Sequence, residues 1–281
     1  MKNLLTDNQV VFTVDLEDWF HSLDYLPSNW HYYERRIEYG TNRILDLLEE
    51  NKSIATFFVL GDIAANNPRL VKTIAQKGHE IGSHGISHKF VYRQSREEFR
   101  NDLKNSRNLL SDLTGEKINS FRAPYFSITK NSLWALEILK EEGFKIDSSI
   151  FPVINHRYGI RNNERLPYRL ENGLWEWPIT TYKSFIGNIP FAGGVYFRFF
   201  PITVTKYFTS SLKKKSEPIL FYFHPWEFDP EQPRINNITP FLKLRHYFGL
   251  KKNFIKLNNI LNGLNIMSIA QGVDLLAQMI I

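Results

Sequence analysis

The chain of 281 residues contains no cysteine. This absence excludes disulfide bonds and thiolate metal sites, so any metal would be held by histidine and carboxylate side chains. The first residues lack the basic and then apolar pattern of a secretory signal, and no run approaches the ~20 consecutive apolar residues of a membrane span. These absences predict a soluble, cytoplasmic protein.

Two nucleotide-binding patterns are also missing, the Gly-rich phosphate loop and the dinucleotide fingerprint. The net charge is +6, from 35 Lys and Arg against 29 Asp and Glu, but the lysine runs are limited to Lys213–Lys215 and Lys251–Lys252. Nucleic-acid binding usually needs concentrated basic residues with interleaved aromatics. We therefore expect no nucleic-acid partner and interpret the lysines as solvated, while a peripheral contact with a membrane or an anionic polymer stays open.

Short apolar runs typical of buried strands alternate with amphipathic, helix-like segments along the chain. The helix-like segments have recognisable starts, such as the Ser95–Glu98 capping box and the Asn67–Pro68 pair. This alternation predicts a parallel sheet in an α/β fold, and in (β/α) barrels the catalytic residues follow the strands. We expect one domain spanning residues 1–281, in which residues 150–210 form a long, loop-rich insertion.

Histidine spacing provides the first candidate site. His84 and His88 are four positions apart in the stretch Gly78–His88, and one helical turn would place both imidazoles on the same side. At this spacing a divalent metal can take two nitrogen ligands from one short segment. The pattern is also common among surface and core histidines, so its interpretation depends on the other polar residues.

Carboxylates follow the first strand-like run. Asp15, Glu17 and Asp18 come directly after the β-branched run Val10–Val14. Three carboxylates within four residues repel one another unless a cation or an arginine lies among them. The alternative interpretation is an acidic loop that caps a helix.

Three further polar residues follow other strand-like runs. Arg122 comes after a short strand and two residues before Pro124, which stiffens the backbone there, while Asp147 and His224 each follow an apolar run. Each has a simpler interpretation, since Arg122 could be a structural ion-pair partner and His224 a core histidine bonded to the backbone. Together they supply an arginine, a carboxylate and an imidazole at strand ends.

Five segments in this order resemble the polysaccharide deacetylase family, the NodB-homology carbohydrate esterases of family 4. They are Thr13–Asp15, Ala55–Gly61, Gly78–His84, Phe121–Tyr125 and Phe223–His224. Their order and spacing agree with the family over about residues 10–224, and the combination is far more specific than any one motif.

Four segments are similar to a narrower subgroup that is associated with bacterial exopolysaccharide biosynthesis loci. They are Asp15–His21, Gly193–Arg198, His224–Glu227 and Arg245–Tyr247. With them the resemblance covers nearly the whole chain, and residues 225–281 become a subgroup-specific C-terminal part.

The resemblance implies a metal-dependent N-deacetylase on a distorted (β/α) barrel of about seven parallel strands. The metal implied is Zn²⁺ or another divalent ion such as Co²⁺, Ni²⁺ or Mn²⁺. By this resemblance Asp15 is the base, and Arg122 orients it. His84 and His88 are metal ligands, and the backbone N–H of Tyr125 binds the oxyanion. His224 is the general acid, and Asp147 orients that acid.

Two positions depart from the family pattern. The family has two adjacent aspartates followed by glycine, whereas Leu16 and Glu17 separate Asp15 from Asp18 here. The third metal ligand implied is therefore Asp18 or Glu17, and we prefer Asp18 because the family ligand is an aspartate. Tyr222 stands where the family has a leucine, which leaves the lining of the acyl pocket open.

The function implied is removal of N-acetyl groups from amino sugars of a bacterial polysaccharide or of its lipid-linked precursor. Trp19, Trp175, Trp177 and Trp226 could stack on sugar rings or pack in the core. Two alternatives stay open, an amidase acting on a small linear or cyclic amide and a catalytically inactive carbohydrate-binding relative. The sugar, its chain length, the native metal and the oligomeric state are not specified by the sequence.

Overall fold

The computed structural model describes residues 8–23, 30–155, 157–236 and 238–280. Within these ranges the chain forms a curled, mostly parallel sheet of nine strands and a separate two-stranded hairpin. The strands in chain order are β1 (Gln9–Leu16), β2 (Thr56–Val59), β3 (Glu80–Ser83), β4 (Ser120–Phe121), β5 (Ile146–Asp147), β6 (Tyr168–Arg169), β7 (Trp175–Glu176), the hairpin strands β8 (Thr181–Ser184) and β9 (Gly187–Pro190), β10 (Leu220–Phe223) and β11 (Asn265–Met267).

The strand order in the sheet is β10-β1-β2-β3-β4-β5-β7-β6, and β11 also pairs with β1. Every pair is parallel except β6 with β7. The registers place Val14 opposite Phe223, and Phe121 opposite both Ser83 and Asp147. The carboxyl ends of these strands therefore lie side by side, and the residues that follow them share one edge of the sheet. The predicted α/β fold with a parallel sheet is confirmed.

The described ranges also contain ten α-helices. They are α1 (Ile37–Glu50), α2 (Gly61–Asn66), α3 (Pro68–Gln76), α4 (Arg96–Thr114), α5 (Trp134–Glu141), α6 (Gly194–Phe199), α7 (Ile202–Lys214), α8 (Pro240–Tyr247), α9 (Leu250–Leu261) and α10 (Ile269–Ile280). The predicted capping box begins α4, since Ser95 and Glu98 each accept the backbone N–H of the other. None of the helices in these ranges is both long enough and apolar enough to cross a lipid bilayer.

β1 pairs with more strands than any other strand of the sheet. All of its residues except Gln9 are buried, and it is paired along both edges, with β10 on one side and with β2 and β11 on the other. Its apolar side chains Phe12 and Val14 belong to the main core cluster together with Ile44 and Leu48 of α1. The residues that leave the carboxyl end of β1 therefore start from a rigid support.

Residues 150–210, predicted as a loop-rich insertion, contain β6, β7, the β8–β9 hairpin, α6 and the start of α7. Gly193 joins this segment to the sheet through an isolated parallel bridge with Tyr222 of β10. A Cβ at Gly193 would lie 1.9 Å from the Tyr222 carbonyl oxygen, so only glycine fits this approach. The insertion thereby brings α6 next to the carboxyl end of β10.

Candidate active site

The two histidines of the predicted metal motif follow β3 in a tight loop. Their spacing equals one helical turn, but the structure has a loop and no helix at His84–His88, and Gly85 and His88 have positive φ values of 75° and 51°. Asp102 of α4 holds the loop, because its carboxylate accepts the backbone N–H groups of Ile86 at 2.8 Å and Ser87 at 3.0 Å. The imidazole centroids of His84 and His88 lie 5.5 Å apart, so the loop brings the rings together as a helical turn would.

Glu17 faces both histidines. Its Oε1 atom lies 2.8 Å from His84 Nε2 and 2.9 Å from His88 Nε2, and all three side chains are buried. Burial alone would raise the pKa of Glu17, but the charge of His88 and the hydrogen bonds from both histidines outweigh it and hold the pKa well below its usual value. Glu17 is therefore an ionised carboxylate between two imidazoles.

The nitrogens of His84 indicate what this arrangement can hold. His84 Nδ1 lies 2.8 Å from the Arg122 carbonyl oxygen, which can only accept, so Nδ1 carries the hydrogen. In a neutral imidazole, Nε2 then directs a lone pair at the Glu17 carboxylate. Two electron-rich atoms at 2.8 Å repel each other unless a proton or a cation lies between them. Two imidazoles and one carboxylate form a donor set that suits a divalent metal.

The structure does not bring Asp18, the preferred third ligand, to the two histidines. The Asp18 carboxylate instead accepts three backbone N–H groups. One is that of the adjacent Trp19 at 2.9 Å, and the other two, those of Arg36 at 2.8 Å and Ile37 at 3.1 Å, lie at the start of α1. Glu17 and Asp18 lie just past the end of β1, where the Glu17 N–H donates to the Asp15 carbonyl oxygen at 2.9 Å. The alternation of side chains along the strand therefore does not extend to them, and their different partners are set by the tertiary structure.

Asp15 is held by Arg122, which is fully buried. Arg122 Nη1 donates to Asp15 Oδ1 at 2.7 Å and to the Thr13 hydroxyl at 2.8 Å, and its other nitrogens donate to the Ser148 carbonyl and hydroxyl oxygens. The second Asp15 oxygen, Oδ2, lies 3.8 Å from His224 Nε2. The predicted base, its arginine partner and the predicted acid therefore lie together at one edge of the sheet.

His224 is held by a carboxylate that the sequence analysis missed. Glu227 Oε1 lies 2.8 Å from His224 Nδ1, and Glu227 Oε2 accepts a hydrogen bond from Arg198 Nε at 2.9 Å. Burial lowers the pKa of His224, but the Glu227 hydrogen bond, with the charges of Glu17, Glu227 and Asp15, raises it to about 9. His224 is therefore protonated at neutral pH. The spacing of three residues between His224 and Glu227 is the sequence feature that could have predicted their pairing.

Asp147, the predicted partner of His224, lies in a different environment. Its Oδ1 accepts the Ser149 hydroxyl at 2.5 Å, and its side chain lies beside that of Glu176, its register partner on the neighbouring strand β7. Burial, opposed by hydrogen bonds and the Arg122 charge, raises the pKa of Asp147 to about 6, and burial beside Asp147 raises the pKa of Glu176 well above its usual value. The carboxylate beside His224 is thus Glu227, because it follows on the same short turn.

Tyr125 occupies a strained turn after β4. Its φ and ψ of 57° and 19° lie in the left-handed region, which is costly for a residue with a Cβ and is found mostly at functional sites. Its hydroxyl donates to the His21 carbonyl oxygen at 3.0 Å, and its ring lies 4.5 Å from the His88 ring. The turn therefore orients Tyr125 beside the histidines, while the role of its backbone N–H stays a prediction.

A cavity opens over Asp15, Glu17 and His224. Aromatic side chains form much of its wall, namely Tyr125, Phe126, Tyr158, Tyr196, Tyr222 and Trp226. Of the predicted stacking tryptophans only Trp226 lines this cavity, and it is itself mostly buried, in the same apolar cluster as Trp19. Trp177 is buried in a second cluster, against which Trp175 packs. Arg157 and Arg245 add positive charge to the lining.

Comparison with known proteins matches two parts of the chain to family models. Residues 24–145 match the polysaccharide deacetylase family, and residues 148–274 match a domain of unknown function, DUF3473. A peptidoglycan-N-acetylglucosamine deacetylase of Bacillus cereus is 40% identical over 98 residues, which are 34% of this chain and 36% of that protein. The chain therefore spans little more than a third of the length of this curated relative.

Two solved structures share the fold over almost the whole chain. A putative polysaccharide deacetylase from Mycobacterium smegmatis is 20% identical with a TM-score of 0.63, covering 96% of this chain and 91% of that one. The PuuE allantoinase is 16% identical with a TM-score of 0.64, covering 96% and 90%. At these identities the likeness concerns the fold alone. The resemblance to the polysaccharide deacetylase family is supported by the family model over residues 24–145 and by the curated relative.

Proposed function

We propose that the protein is a metal-dependent hydrolase that removes N-acetyl groups from amino sugars of a bacterial polysaccharide or of its lipid-linked precursor. The observation that carries the proposal is one cavity over a Glu17–histidine cluster, an Asp15–Arg122 pair and a His224–Glu227 pair. The match of residues 24–145 to the polysaccharide deacetylase family supports the reaction class.

Glu17, His84 and His88 would hold the metal. Their ligand atoms lie within 4.8 Å of one another, and two imidazoles with one buried carboxylate suit a divalent cation. Zn²⁺ is the first candidate because nitrogen and oxygen ligands suit it, and Co²⁺, Ni²⁺ or Mn²⁺ could replace it. When bound, such a metal polarises an amide carbonyl and lowers the pKa of a bound water toward ~7.

Asp15 is the base. Arg122 occupies one carboxylate oxygen, while Oδ2 stays available toward the cavity side where His224 lies. An oriented carboxylate can accept the proton of the attacking water, and such a group typically contributes ~10²–10⁴ in rate. Arg122 is thus a positioning residue, because it acts through Asp15.

His224 is the general acid. With a pKa of about 9 it carries a proton at neutral pH, which the departing amine needs. Glu227 orients the ring through Nδ1 and leaves Nε2 on the side of Asp15. The backbone N–H of Tyr125 donates to the oxyanion, a contact whose loss typically costs ~10²–10³ in rate.

The substrate class rests on the cavity wall and on the relatives. Pyranose rings have apolar faces that stack on aromatic side chains, and Trp226, Tyr158 and Tyr196 line the cavity. The Bacillus cereus relative is named for its action on N-acetylglucosamine of peptidoglycan. An exopolysaccharide substrate is supported only by the four subgroup-like segments of the sequence.

The experiment is a measurement of acetate release by metal-loaded protein from chito-oligosaccharides and from lipid-linked N-acetyl amino sugars. Asp15→Asn serves as the matched inactive control. Acetate release from at least one sugar by the native protein, and not by the variant, is the expected result. Absence of release from every sugar would contradict the deacetylase proposal.

A second candidate is amidase action on a small cyclic amide, favoured by the similarity in fold to an allantoinase. Small cyclic amides therefore belong in the same panel. Turnover of a cyclic amide without acetate release from any sugar would favour this candidate. A catalytically inactive relative is disfavoured, because the base, the acid and the ligand cluster are all present.

A further inference from the structure

All of the net positive charge of the chain comes from one continuous segment. Residues 232–273 contain six Lys and Arg and no Asp or Glu, which leaves 29 residues of each sign in the rest of the chain. The segment includes α8, α9 and β11. The net positive charge is therefore concentrated in one part of the chain, which the two short lysine runs alone did not indicate.

An apolar stripe lies exposed on α8 and the residue that follows it. Phe241, Leu244 and Phe248 are at positions i, i+3 and i+7, which one helical face shares, and they are 71%, 50% and 41% exposed. Phe199 at the end of α6 is 44% exposed and stacks on Phe248, with ring centroids 4.5 Å apart. Contiguous apolar surface of this kind usually marks a site of interaction.

The stripe is rigidly connected to the candidate active site. Arg198, which donates to Glu227, also donates to the carbonyl oxygens of Arg245, His246 and Phe248 at the end of α8. Leu242, Arg245 and His246 of the same helix line the cavity. The exposed stripe therefore lies on the helix that forms part of the cavity wall.

We propose that this α8 face, formed by Phe199, Phe241, Leu244 and Phe248, docks on the surface of an anionic lipid bilayer. Exposed Lys243, Lys251 and Lys252 flank the stripe in sequence. Apolar residues beside cations, in a segment without acidic residues, suit insertion among anionic headgroups. A second copy of the chain fits less well, because two such faces would bring like charges together. The proposal goes beyond deacetylation and does not depend on it.

The test is co-sedimentation with vesicles of phosphatidylcholine and phosphatidylglycerol, compared with vesicles of phosphatidylcholine alone. The full chain should bind the anionic vesicles more tightly. Combining Phe241→Ser with Leu244→Ser should weaken binding by at least about tenfold, since two apolar side chains no longer leave water. Combining Lys251→Glu with Lys252→Glu should weaken it by about 25-fold or more, at roughly fivefold for each lost lysine contact.

Two matched control variants separate this face from general surface effects. Phe185→Ser with Ile186→Ser changes two exposed apolar residues in the turn between β8 and β9, and Lys214→Glu with Lys215→Glu makes the same charge change at the end of α7. Both should bind as the native protein does. Thermal unfolding of all variants checks that each is folded, which is expected because every substituted side chain is exposed.

Equal binding to both vesicle types, or equal binding by the α8-face variants and their controls, would overturn the proposal. Sedimentation velocity provides the competing outcome. A dimer that Phe241→Ser with Leu244→Ser dissociates, without binding to anionic vesicles, would assign the face to a second copy of the chain. Binding is measured without substrate, so its failure is distinct from failure of the deacetylase assay.

Discussion

Glu17 and Asp18 are adjacent carboxylates with different partners, so their substitutions should have separable effects. Glu17→Gln removes the charge between the two histidines and should weaken Zn²⁺ affinity by at least about tenfold. Asp18→Ala should leave that affinity near the native value but lower the free energy of unfolding by about 1–3 kcal/mol, because buried backbone N–H groups lose their acceptor.

Metal titration and urea unfolding of both variants check this prediction. Removing the metal with a chelator should abolish activity of the native protein, and Zn²⁺ should restore it. The reverse pattern, with metal lost in Asp18→Ala and retained in Glu17→Gln, would return the ligand role to Asp18.

Asp15→Asn should keep the fold and the metal but reduce kcat by about 10²–10⁴. The asparagine oxygen can still accept from Arg122, whereas an amide cannot take a proton from water at neutral pH. Asp112→Asn, an exposed aspartate on α4, is the matched control. If kcat of Asp15→Asn stays within a few-fold of native, Asp15 is not the base and Glu17 becomes the candidate.

The pKa of His224 predicts the pH above which the enzyme loses activity. Burial opposes protonation of the ring, but Glu227 and the neighbouring carboxylates outweigh it and raise its pKa to about 9, so kcat should fall as pH rises through about 9. Glu227→Gln removes a nearby negative charge and should move this limb to lower pH by at least about one unit. An unchanged pH profile in the variant would mean that another group controls the limb.

The raised pKa of His224 also makes the free energy of unfolding depend on pH. A histidine whose pKa is raised in the folded state stabilises it fully below the unfolded value of 6.5, and this contribution is lost as pH rises through about 9. Urea unfolding should therefore show the difference between native protein and Glu227→Gln shrinking between these two pH values.

At the scale of elements, β5 and β7 are joined by a buried pair of carboxyl groups, Asp147 and Glu176. Burial raises the pKa of both, and their mutual repulsion adds to that of Glu176. Raised carboxyl pKa values favour the folded state at low pH and oppose it as pH rises through them. Glu176→Gln should therefore raise the free energy of unfolding at pH 8 by about 1 kcal/mol or more, since the amide carries no charge.

Urea unfolding at low and at high pH checks this prediction. The advantage of Glu176→Gln should disappear toward about pH 3, where both carboxyl groups are mostly protonated in either state. The glutamine oxygen can still accept the Ile150 N–H that Glu176 accepts at 3.1 Å. A variant that is less stable at pH 8 would mean that the pair is stabilised in its ionised form.

At the scale of the whole molecule, the boundary between the two matched family models does not divide the sheet. β2, β3 and β4 lie within the first matched part, whereas β10 and β11 lie within the second, and β1, which precedes both, pairs with β2, β10 and β11. The metal-motif histidines and Arg122 lie within the first part and His224 and Glu227 within the second, while Asp15 and Glu17 precede both. The two parts therefore share one core and one candidate site.

A chain ending at residue 147 should not unfold cooperatively. It would lack β10 and β11, which pair with the first half of β1. Backbone N–H and C=O groups of β1 would then be left unpaired in the core. Circular dichroism during urea unfolding, with the full chain as control, measures this. A cooperative transition in the shortened chain would mean two domains and would contradict the single-domain interpretation.

The order of strands and helices and the polar residues at the strand ends followed from the sequence. Apolar runs and capping signals depend on neighbours along the chain, so they are legible without tertiary structure. The absence of cysteine likewise restricted metal ligands to histidine and carboxylate. These features were sufficient for the α/β fold and for the edge of the sheet at which the candidate site lies.

Only the tertiary structure decided which carboxylate meets which partner. Asp18 is drawn to the N–H groups that begin α1, which leaves Glu17 to the histidines, and Glu227 reaches His224 while Asp147 pairs across to β7. All of these side chains carry the same functional group, so residue type cannot separate them. The difference lies in which donors, brought from distant parts of the chain, stand within ~3 Å of each oxygen.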